Sequence, residues 1–501
     1  MELIDMMRIG LNTALQPSNL LYCFVGVLIG TLIGVLPGLG PSGAIAILLP
    51  TTFNIPAASA IIMLSGIFYG AMYGGSITSI LVNIPGEAAS VVTCIDGYQM
   101  ARRGRAGAAL GIAAFGSFIA AILGILLLAF LAPFLANIAL DFGPAEYFSI
   151  MILGLTLVTY LGSGSMLKAL IMAVLGLIVG CIGTDPILGT PRLTYGIEAL
   201  FDGIGVIPVV MGLFGLSEVL LNIEVEQGKR KIYETKLEVK GLLPTRDDWW
   251  KSAMPISRGS IIGFLIGIIP GGGAVISSFA SYALEKKFSR HPERFGKGAI
   301  EGVAGPESAN NAATMGCMVP LLTLGIPSNA VMAMLLAALM IHGTPPGPLL
   351  IQNHPELFWG VIISMIVGNF LLLVLNVPLI GMWVKVLKVP YNILFPLIIM
   401  FCLIGVYSVN SMVVDIVIML VFGWIGYLMK KYDFEGAPLI LAFVLGPMME
   451  TNLRRALIIS GGSFGIFISH PISLACLVTA VLFVLFPVIS FIRKKGRLSP
   501  S

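Results

Sequence analysis

Long apolar runs separated by short polar clusters recur from one end of this sequence to the other. Ala106–Ala136, Phe358–Val384, Met412–Met429 and Ile472–Ile492 are four of them, each long enough as a helix to cross a hydrocarbon core of about 30 Å. The pattern predicts an all-α integral membrane protein with about 11–12 transmembrane helices plus re-entrant hairpins. Two segments are too short to span. Arg258–Pro270 gives roughly 20 Å of helix and Ala274–Glu285 roughly 18 Å, and basic residues stand at both outer ends. Such a pair reads as a hairpin with a glycine tip at mid-membrane, where irregular backbone is tolerated only against protein or a watery cavity. Leu20–Leu36 and Ser42–Phe53 read as a second hairpin entering from the other side.

Composition agrees with a lipid setting. Charged residues are 11% of the 501 and hydrophobic residues 57%, with a mean hydropathy of +0.98, against about 25% charged in an ordinary soluble domain. The net charge of +4 does not point to nucleic acid, because the basic residues sit in clusters between apolar runs, where they set topology. Glu2 and Asp5 stand where a cleaved leader would carry basic residues, so the first apolar segment is expected to stay. Cys23, Cys94, Cys181, Cys317, Cys402 and Cys476 are scattered without metal-ligand spacing and read as small apolar residues. His291, His342, His354 and His470 lie at loops or interfaces, and no two have metal spacing. No cofactor is expected.

The chain also repeats itself. "GTLIGVLPGLG" (Gly30–Gly40) returns as "GFLIGIIPGGG" (Gly263–Gly273), 233 residues later, and "NIPGEA" (Asn83–Ala88) returns as "GIPSNA" (Gly325–Ala330), 242 residues later. Basic loops fall at non-equivalent places in the two copies: "ARRGR" (Ala101–Arg105) against "HGTPPGP" (His342–Pro348), and "KKFSRHPERFGK" (Lys286–Lys297) against "FNIPAA" (Phe53–Ala58). Under the positive-inside rule this predicts two inverted-topology repeats. The expected division is an N-terminal repeat over residues 1–223 with its hairpin near 20–53, a cytoplasmic linker over 224–256, an inverted repeat over 257–460 with its hairpin near 258–285, and a final helix with a basic tail over 461–501. This scheme puts Arg454 and Arg455 outside, against the rule.

Three motifs carry candidate chemistry. "GLGPSG" has dinucleotide-loop spacing, but Pro41 interrupts it and no acid follows before Ser79, so the nucleotide reading fails on context. A single Pro-Gly break would read as close helix packing; two copies in an inverted repeat read as helix N-termini offering free N–H groups to an anion. "GPESANNAATMGCMVP" (Gly305–Pro320) places Glu307, Ser308, Asn310 and Asn311 in a segment that must cross the membrane, where a carboxylate costs a few kcal/mol. Pro306 is expected to break the helix just before Glu307. Freed carbonyls, amide oxygens and a carboxylate suit Na⁺, or a proton at Glu307. "YGGSITSILVNIPGEAAS" (Tyr73–Ser90) plays the corresponding part in the first half, with Asn83, Glu87 and hydroxyls that can equally bond their own helix.

The candidate substrate site therefore comprises Gly38, Gly40, Ser42, Asn83, Gly86, Gly271, Gly272, Gly273, Ser328 and Asn329. The candidate cation site comprises Glu307, Ser308, Asn310, Asn311 and Thr323. No lysine or arginine occurs in Gly26–Gly97 or Gly298–Gly381, so an anionic carboxylate would be held by neutral donors together with a co-transported cation. The competing readings are a stand-alone carboxylate or anion transporter, a channel, and an intramembrane serine protease built on Ser42 with His470 or His342 as base.

"GVLPGLGPSGAIAILLP", "YGAMYGGSITSILVNIPGE", "DGYQMARRGRAGAALG" and above all "GPESANNAATMGCMVPLLTLGIPSNA" resemble the large membrane subunit of the tripartite tricarboxylate transporters, the TctA family, over nearly the whole chain. One departure is Ser328, where the family usually has glycine. The resemblance implies secondary active uptake of di- and tricarboxylates such as citrate across the bacterial inner membrane, with no enzymatic activity. It also implies two protein partners, a periplasmic solute-binding protein and a small membrane subunit.

Overall fold

The computed structural model describes residues 3–36, 40–161, 165–185, 187–224, 242–386 and 391–496. In chain order the helices are α1 (Leu3–Ala14), α2 (Pro17–Val35), α3 (Gly40–Leu48), α4 (Ala57–Val82), α5 (Val91–Arg102), α6 (Ala106–Ala139), α7 (Pro144–Leu161), α8 (Met166–Gly180), α9 (Val206–Val210), α10 (Ser217–Glu224), α11 (Arg246–Ile268), α12 (Gly273–Phe288), α13 (Glu301–Gly316), α14 (Met318–Leu324), α15 (Ala330–Ile341), α16 (Leu350–Asn353), α17 (Pro355–Asn376), α18 (Ile380–Val386), α19 (Tyr391–Asn410), α20 (Val413–Lys431), α21 (Gly436–Ile459), α22 (Ile466–Ser469) and α23 (Pro471–Gly496). A π-helical turn over Met211–Leu216 joins α9 to α10. Among the described residues the only sheet is a two-stranded one, Gly183–Thr184 paired antiparallel with Pro191–Arg192. The chain is a helical multi-pass membrane protein. Among the described residues six helices (α2, α4, α6, α17, α20 and α21) are long and apolar enough to cross a membrane, and shorter apolar helices such as α7, α8, α15 and α23 fill out the bundle.

Each half is organised by a ladder of glycines. A Cβ at Gly26, Gly30 or Gly34 of α2 would stand 2.3, 2.5 and 2.3 Å from the carbonyl oxygens of Met63, Ile67 and Ala71 on α4. A Cβ at Gly259, Gly263 or Gly267 of α11 would stand 2.4, 2.2 and 2.4 Å from those of Gly305, Ala309 and Ala313 on α13. Only hydrogen fits at such distances, so the four-residue glycine spacing brings helix backbones into direct contact where lipid supplies no hydrophobic drive. The two ladders are related by the same shifts as the sequence motifs. The glycines recur after 233 residues and their carbonyl partners after 242.

The ladder helices pack with α5, α6, α12 and α17 into one large core. Within it α4 is buried almost end to end, whereas α6 turns Leu126, Phe130 and Phe134 outward. Helices α7, α8, α21 and α23 form a second group with small apolar clusters of their own.

Two details depart from the sequence expectation. Helix α11 starts at Arg246, inside the stretch read as linker, because Thr245 and Asp248 form a reciprocal capping box. Asp248 also pairs with Arg105, and Trp249 packs against Phe115 with ring centroids 5.8 Å apart. Pro306 does not break the membrane segment: α13 runs through it from Glu301 to Gly316. Proline's missing N–H costs one intrahelical bond, while its own carbonyl accepts a hydrogen bond from Ser278 Oγ of α12 at 3.2 Å. The interruptions come later, at Cys317 and over Gly325–Asn329.

Candidate functional site

The two helix breaks are built alike from different residues. Helix α4 ends on Asn83 at φ 59° and α14 ends on Gly325 at φ 69°, both left-handed C-caps, a conformation that favours glycine or asparagine. Four residues on, Glu87 caps the 3₁₀ turn Ala88–Ser90, its Oε2 accepting from Ala89 N at 2.6 Å. The matching Asn329 caps α15, its Oδ1 accepting from Met332 N at 3.0 Å. Each pair of equivalent positions is again 242 residues apart.

The tip of the second hairpin seats against its break. Gly271 N donates to Ser328 O at 2.8 Å, and with φ +80° it leaves no room for a Cβ, 2.8 Å from Val158 Cα of α7. Gly272 is closed off by Ile266 O at 2.2 Å from its Cβ position. In the first half a Cβ at Gly86 would stand 2.1 and 2.5 Å from Gly34 O and Gly75 Cα. Gly40 and Gly273, the first residues of α3 and α12, both have positive φ (+58° and +52°), and a Cβ at either meets nothing within 4 Å. The Cβ side of each of these glycines therefore faces open space. Gly38 lies outside the described residues.

Between the halves sits a buried polar cluster centred on Glu307. Its Oε2 accepts from Ser76 Oγ of α4 at 2.6 Å and its Oε1 from the Thr93 hydroxyl of α5. Its main-chain oxygen accepts from Asn311 Nδ2 at 3.1 Å and from Ser117 Oγ of α6 at 3.4 Å, and Asn311 Nδ2 also donates to Ser117 Oγ at 2.7 Å. Asn310 Nδ2 donates to Glu87 Oε1 at 3.2 Å. Two carboxylates, one from each half, are thus joined through one asparagine, with 7% and 1% of Glu87 and Glu307 exposed. No lysine or arginine pairs with either among the described residues. Arg258, on the ladder helix α11, is paired with Glu285 at 2.8 and 2.5 Å. Charge on two buried carboxylates without a basic partner is costly, and a proton or a cation is the kind of group that relieves such a cost. The amide oxygens of Asn310 and Asn311 and the hydroxyl of Ser308 are buried without a partner, so the cluster has hard oxygen donors left over.

The structure thus brings Glu307, Ser308, Asn310 and Asn311 together and leaves other named residues apart. Thr323 bonds its own helix, Oγ1 to Val319 O at 2.7 Å. Asn83 is exposed and serves as a C-cap. Ser42 is half-buried on α3. Its suggested base His470 contacts Glu146 at 2.6 Å on α7 instead. Ser328 Oγ is buried without a partner, and Asn329 Nδ2 meets Cys317 Sγ at 3.2 Å. The cluster residues that sequence reasoning missed are Thr93 and Ser117. All six cysteines are free.

A larger cavity of about 720 Å³ opens between the two helix groups, lined by Phe53, Arg192, Met340, Asn410 and Glu450 among others. At its rim Arg454 bridges Asp185 at 2.9 Å and Glu450 at 2.6 Å, and Arg192 holds Glu450 at 2.7 Å. Arg454 is thereby matched by two acids. The backbone N–H groups of Leu188 and Ile187, with Arg454, hold the Asp185 carboxyl down at about 2.

Comparison with known proteins agrees with this architecture. The sequence matches the Tripartite tricarboxylate transporter TctA family over residues 20–441. An Agrobacterium vitis protein described as an uncharacterized 52.8 kDa protein in the TAR-I ttuC' 3' region is 50% identical over 495 residues, 99% of this chain and 98% of that relative. A second Agrobacterium vitis protein, described as uncharacterized in the TAR-II ttuC' 3' region, is 51% identical over 233 residues, 46% of this chain and 96% of its own length. No solved structure matches the chain. Paired helix breaks, close-packed glycine ladders and buried carboxylates suit a membrane carrier, and with a match covering most of its length the chain belongs to the tripartite tricarboxylate transporter TctA family.

Proposed function

We propose that this chain is the translocating subunit of a secondary active importer of di- or tricarboxylates resembling citrate, coupled to Na⁺ or H⁺, in the bacterial inner membrane. A periplasmic binding protein delivers the substrate and a small membrane subunit completes the complex. The observation that carries this reading is the Glu87–Asn310–Glu307 bridge between the two halves, buried and without a basic partner. A cation that neutralises these carboxylates changes the interface that must move. Each charge it adds is worth about 2.3 kcal/mol per 100 mV of membrane potential.

The repeats are inverted in this reading. The contacts Arg105–Asp248, Lys430–Glu218 and Lys431–Glu224 gather at the cytoplasmic end, and Asp185–Arg454 and Glu146–His470 at the outer end. That assignment follows if α6, α7, α8 and α9–α10 cross in alternation. The 720 Å³ cavity is then an outer vestibule within the usual size range of small-molecule sites. The carboxylate passes from it to the helix starts at Gly40 and Gly273, where free N–H groups and the positive dipole end receive it.

Reconstitution in proteoliposomes with the small subunit tests this. Uptake of a labelled tricarboxylate is expected only with the binding protein present, and to rise with external Na⁺ or with falling external pH. Uptake indifferent to the binding protein, or to both cations, would favour a stand-alone carrier or a channel.

A further inference from the structure

The charged network beside the 720 Å³ cavity divides its members between two tasks. Asp185 builds the turn that joins the two short strands: its N–H donates to Thr190 O at 2.9 Å, and its Oδ1 accepts from Ile187 N and Leu188 N at 2.8 and 3.0 Å. Arg454 of α21 clamps that turn with both ends of its guanidinium, Nη1 to Asp185 Oδ1 at 3.0 Å and Nη2 to Asp185 Oδ2 at 2.9 Å. Asp185 and Arg454 do not line the cavity, whereas Arg192 and Glu450 do. The strand pairing sets Arg192 opposite Gly183, so the turn that Asp185 and Arg454 hold also fixes where Arg192 stands.

Arg192 is the least committed charge of the four. Among the described residues its one hydrogen bond runs from Nη1 to Glu450 Oε1 at 2.7 Å, with Asp185 Oδ2 farther off at 3.6 Å, and its Nε is buried without a partner. Glu450 does not depend on it, because Arg454 Nη2 approaches the same Oε1 at 2.6 Å. If Arg192 turned away, both acids would stay paired with Arg454. No other lysine or arginine lines the cavity, whose wall is mostly apolar, with Phe53, Met340 and Phe443 in it and the exposed Asp202 as its second acid. An arginine with donors to spare offers a planar fork that matches a carboxylate.

We propose that Arg192 receives one carboxylate of the transported anion, which takes the place Glu450 holds against it while Glu450 stays neutralised by Arg454. The assignment rests on the reading of this cavity as the outer vestibule of a carboxylate importer and adds the residue that selects the substrate there. Exchanging one carboxylate for another keeps every charge paired, so none is left stranded against the apolar wall. It also keeps the hold on the substrate weak. Glu450 competes for the same fork, which lets the anion move on to the neutral helix starts at Gly40 and Gly273.

The test is thermal unfolding of the full-length protein in nanodiscs, titrated with citrate, with succinate and, as an uncharged control, with triethyl citrate, at constant ionic strength and pH. Wild type should be stabilised by citrate or succinate and not by the ester. Arg192→Gln should raise the concentration for half-maximal stabilisation about tenfold, the loss of a charge-assisted pair, and Arg192→Lys, which keeps the charge without the fork, should fall between. Glu450→Gln should shift it the other way, to about threefold lower, since the competing charge is gone. A rim with a merely structural part would weaken binding in both variants or in neither. Should Arg192→Gln fail to fold, the sign of the Glu450→Gln shift still decides. No stabilisation of wild type by either anion, an unshifted titration in Arg192→Gln, or weaker or unchanged binding in Glu450→Gln would overturn the site. The importer reading fails separately: citrate bound in this way but not accumulated by the reconstituted complex would overturn that reading and leave the carboxylate site standing.

Discussion

The halves of this protein share a backbone and differ in chemistry. Both have a three-glycine ladder, a left-handed C-cap at the break, a side-chain N-cap four residues later and an open glycine at the start of the second hairpin helix. Yet where α4 carries Ser65, Phe68 and Tyr69, the equivalent positions of α13 carry Glu307, Asn310 and Asn311. Where the second break has the neutral cap Asn329, the first has the carboxylate Glu87. The acid of one half sits in its break and the acid of the other in its helix, and the two meet through Asn310. Symmetric parts set the depth and angle of the helices, and asymmetric residues put both charges in one place.

The largest effect should come from the shared parts. Gly30→Val and Gly263→Val each place a side chain against a backbone oxygen that cannot move without separating two helices. Each should cost more than about 3 kcal/mol and abolish a monodisperse peak in size-exclusion chromatography. If one half tolerated its substitution, the two ladders would not be equivalent.

A smaller effect is expected at the hairpin tip. Gly271→Val places a Cβ 2.8 Å from Val158 Cα at a left-handed position and should strongly impair uptake, while Gly273→Ala, facing open space, should cost only the left-handed strain of about 1–2 kcal/mol. Equal uptake by the two variants would contradict the seating of the tip.

The caps come next. Asn329→Ala should lower stability by about 1 kcal/mol, as lost N-caps do, read as a fall in Tm. Glu87→Gln keeps a carbonyl oxygen for the cap and should leave Tm nearer to wild type while reducing cation-dependent uptake.

The smallest shift belongs to the rim. The Asp185 carboxyl, held at about 2 against an ordinary 3.8, contributes stability above its unfolded pKa and loses it as pH falls from about 4 towards 2. Asp185→Asn should lower Tm slightly at neutral pH, and the difference from wild type should vanish at the acid end of that window.

The frame was legible in the sequence because its demands are local. A glycine every four residues and a Pro-Gly break state a requirement of the backbone itself. Glu307 was legible because a carboxylate in an apolar run has few structural excuses. Thr93 and Ser117 were not, since a hydroxyl in a membrane helix ordinarily bonds its own turn, as Thr323 does. Their partners lie in other helices: Thr93 and Ser117 reach Glu307 across 214 and 190 residues. Pro306 misled because helix breaking is a tendency that packing can override, and the start of α11 was hidden because its capping box looks like charged linker.

The most direct test of the account compares Glu307→Gln with Ser65→Ala, the substitution at the equivalent place in the other half, in tricarboxylate uptake driven by a Na⁺ gradient in proteoliposomes with both partner subunits. Ser65→Ala, which removes a hydroxyl without a partner, should transport within about twofold of wild type, since losing an unpaired hydroxyl is nearly neutral. Glu307→Gln, inserted and folded, should lose its response to the gradient, and the loss of one coupled charge lowers accumulation by roughly 50-fold at 100 mV. Normal Na⁺-driven accumulation by Glu307→Gln would contradict the central claim.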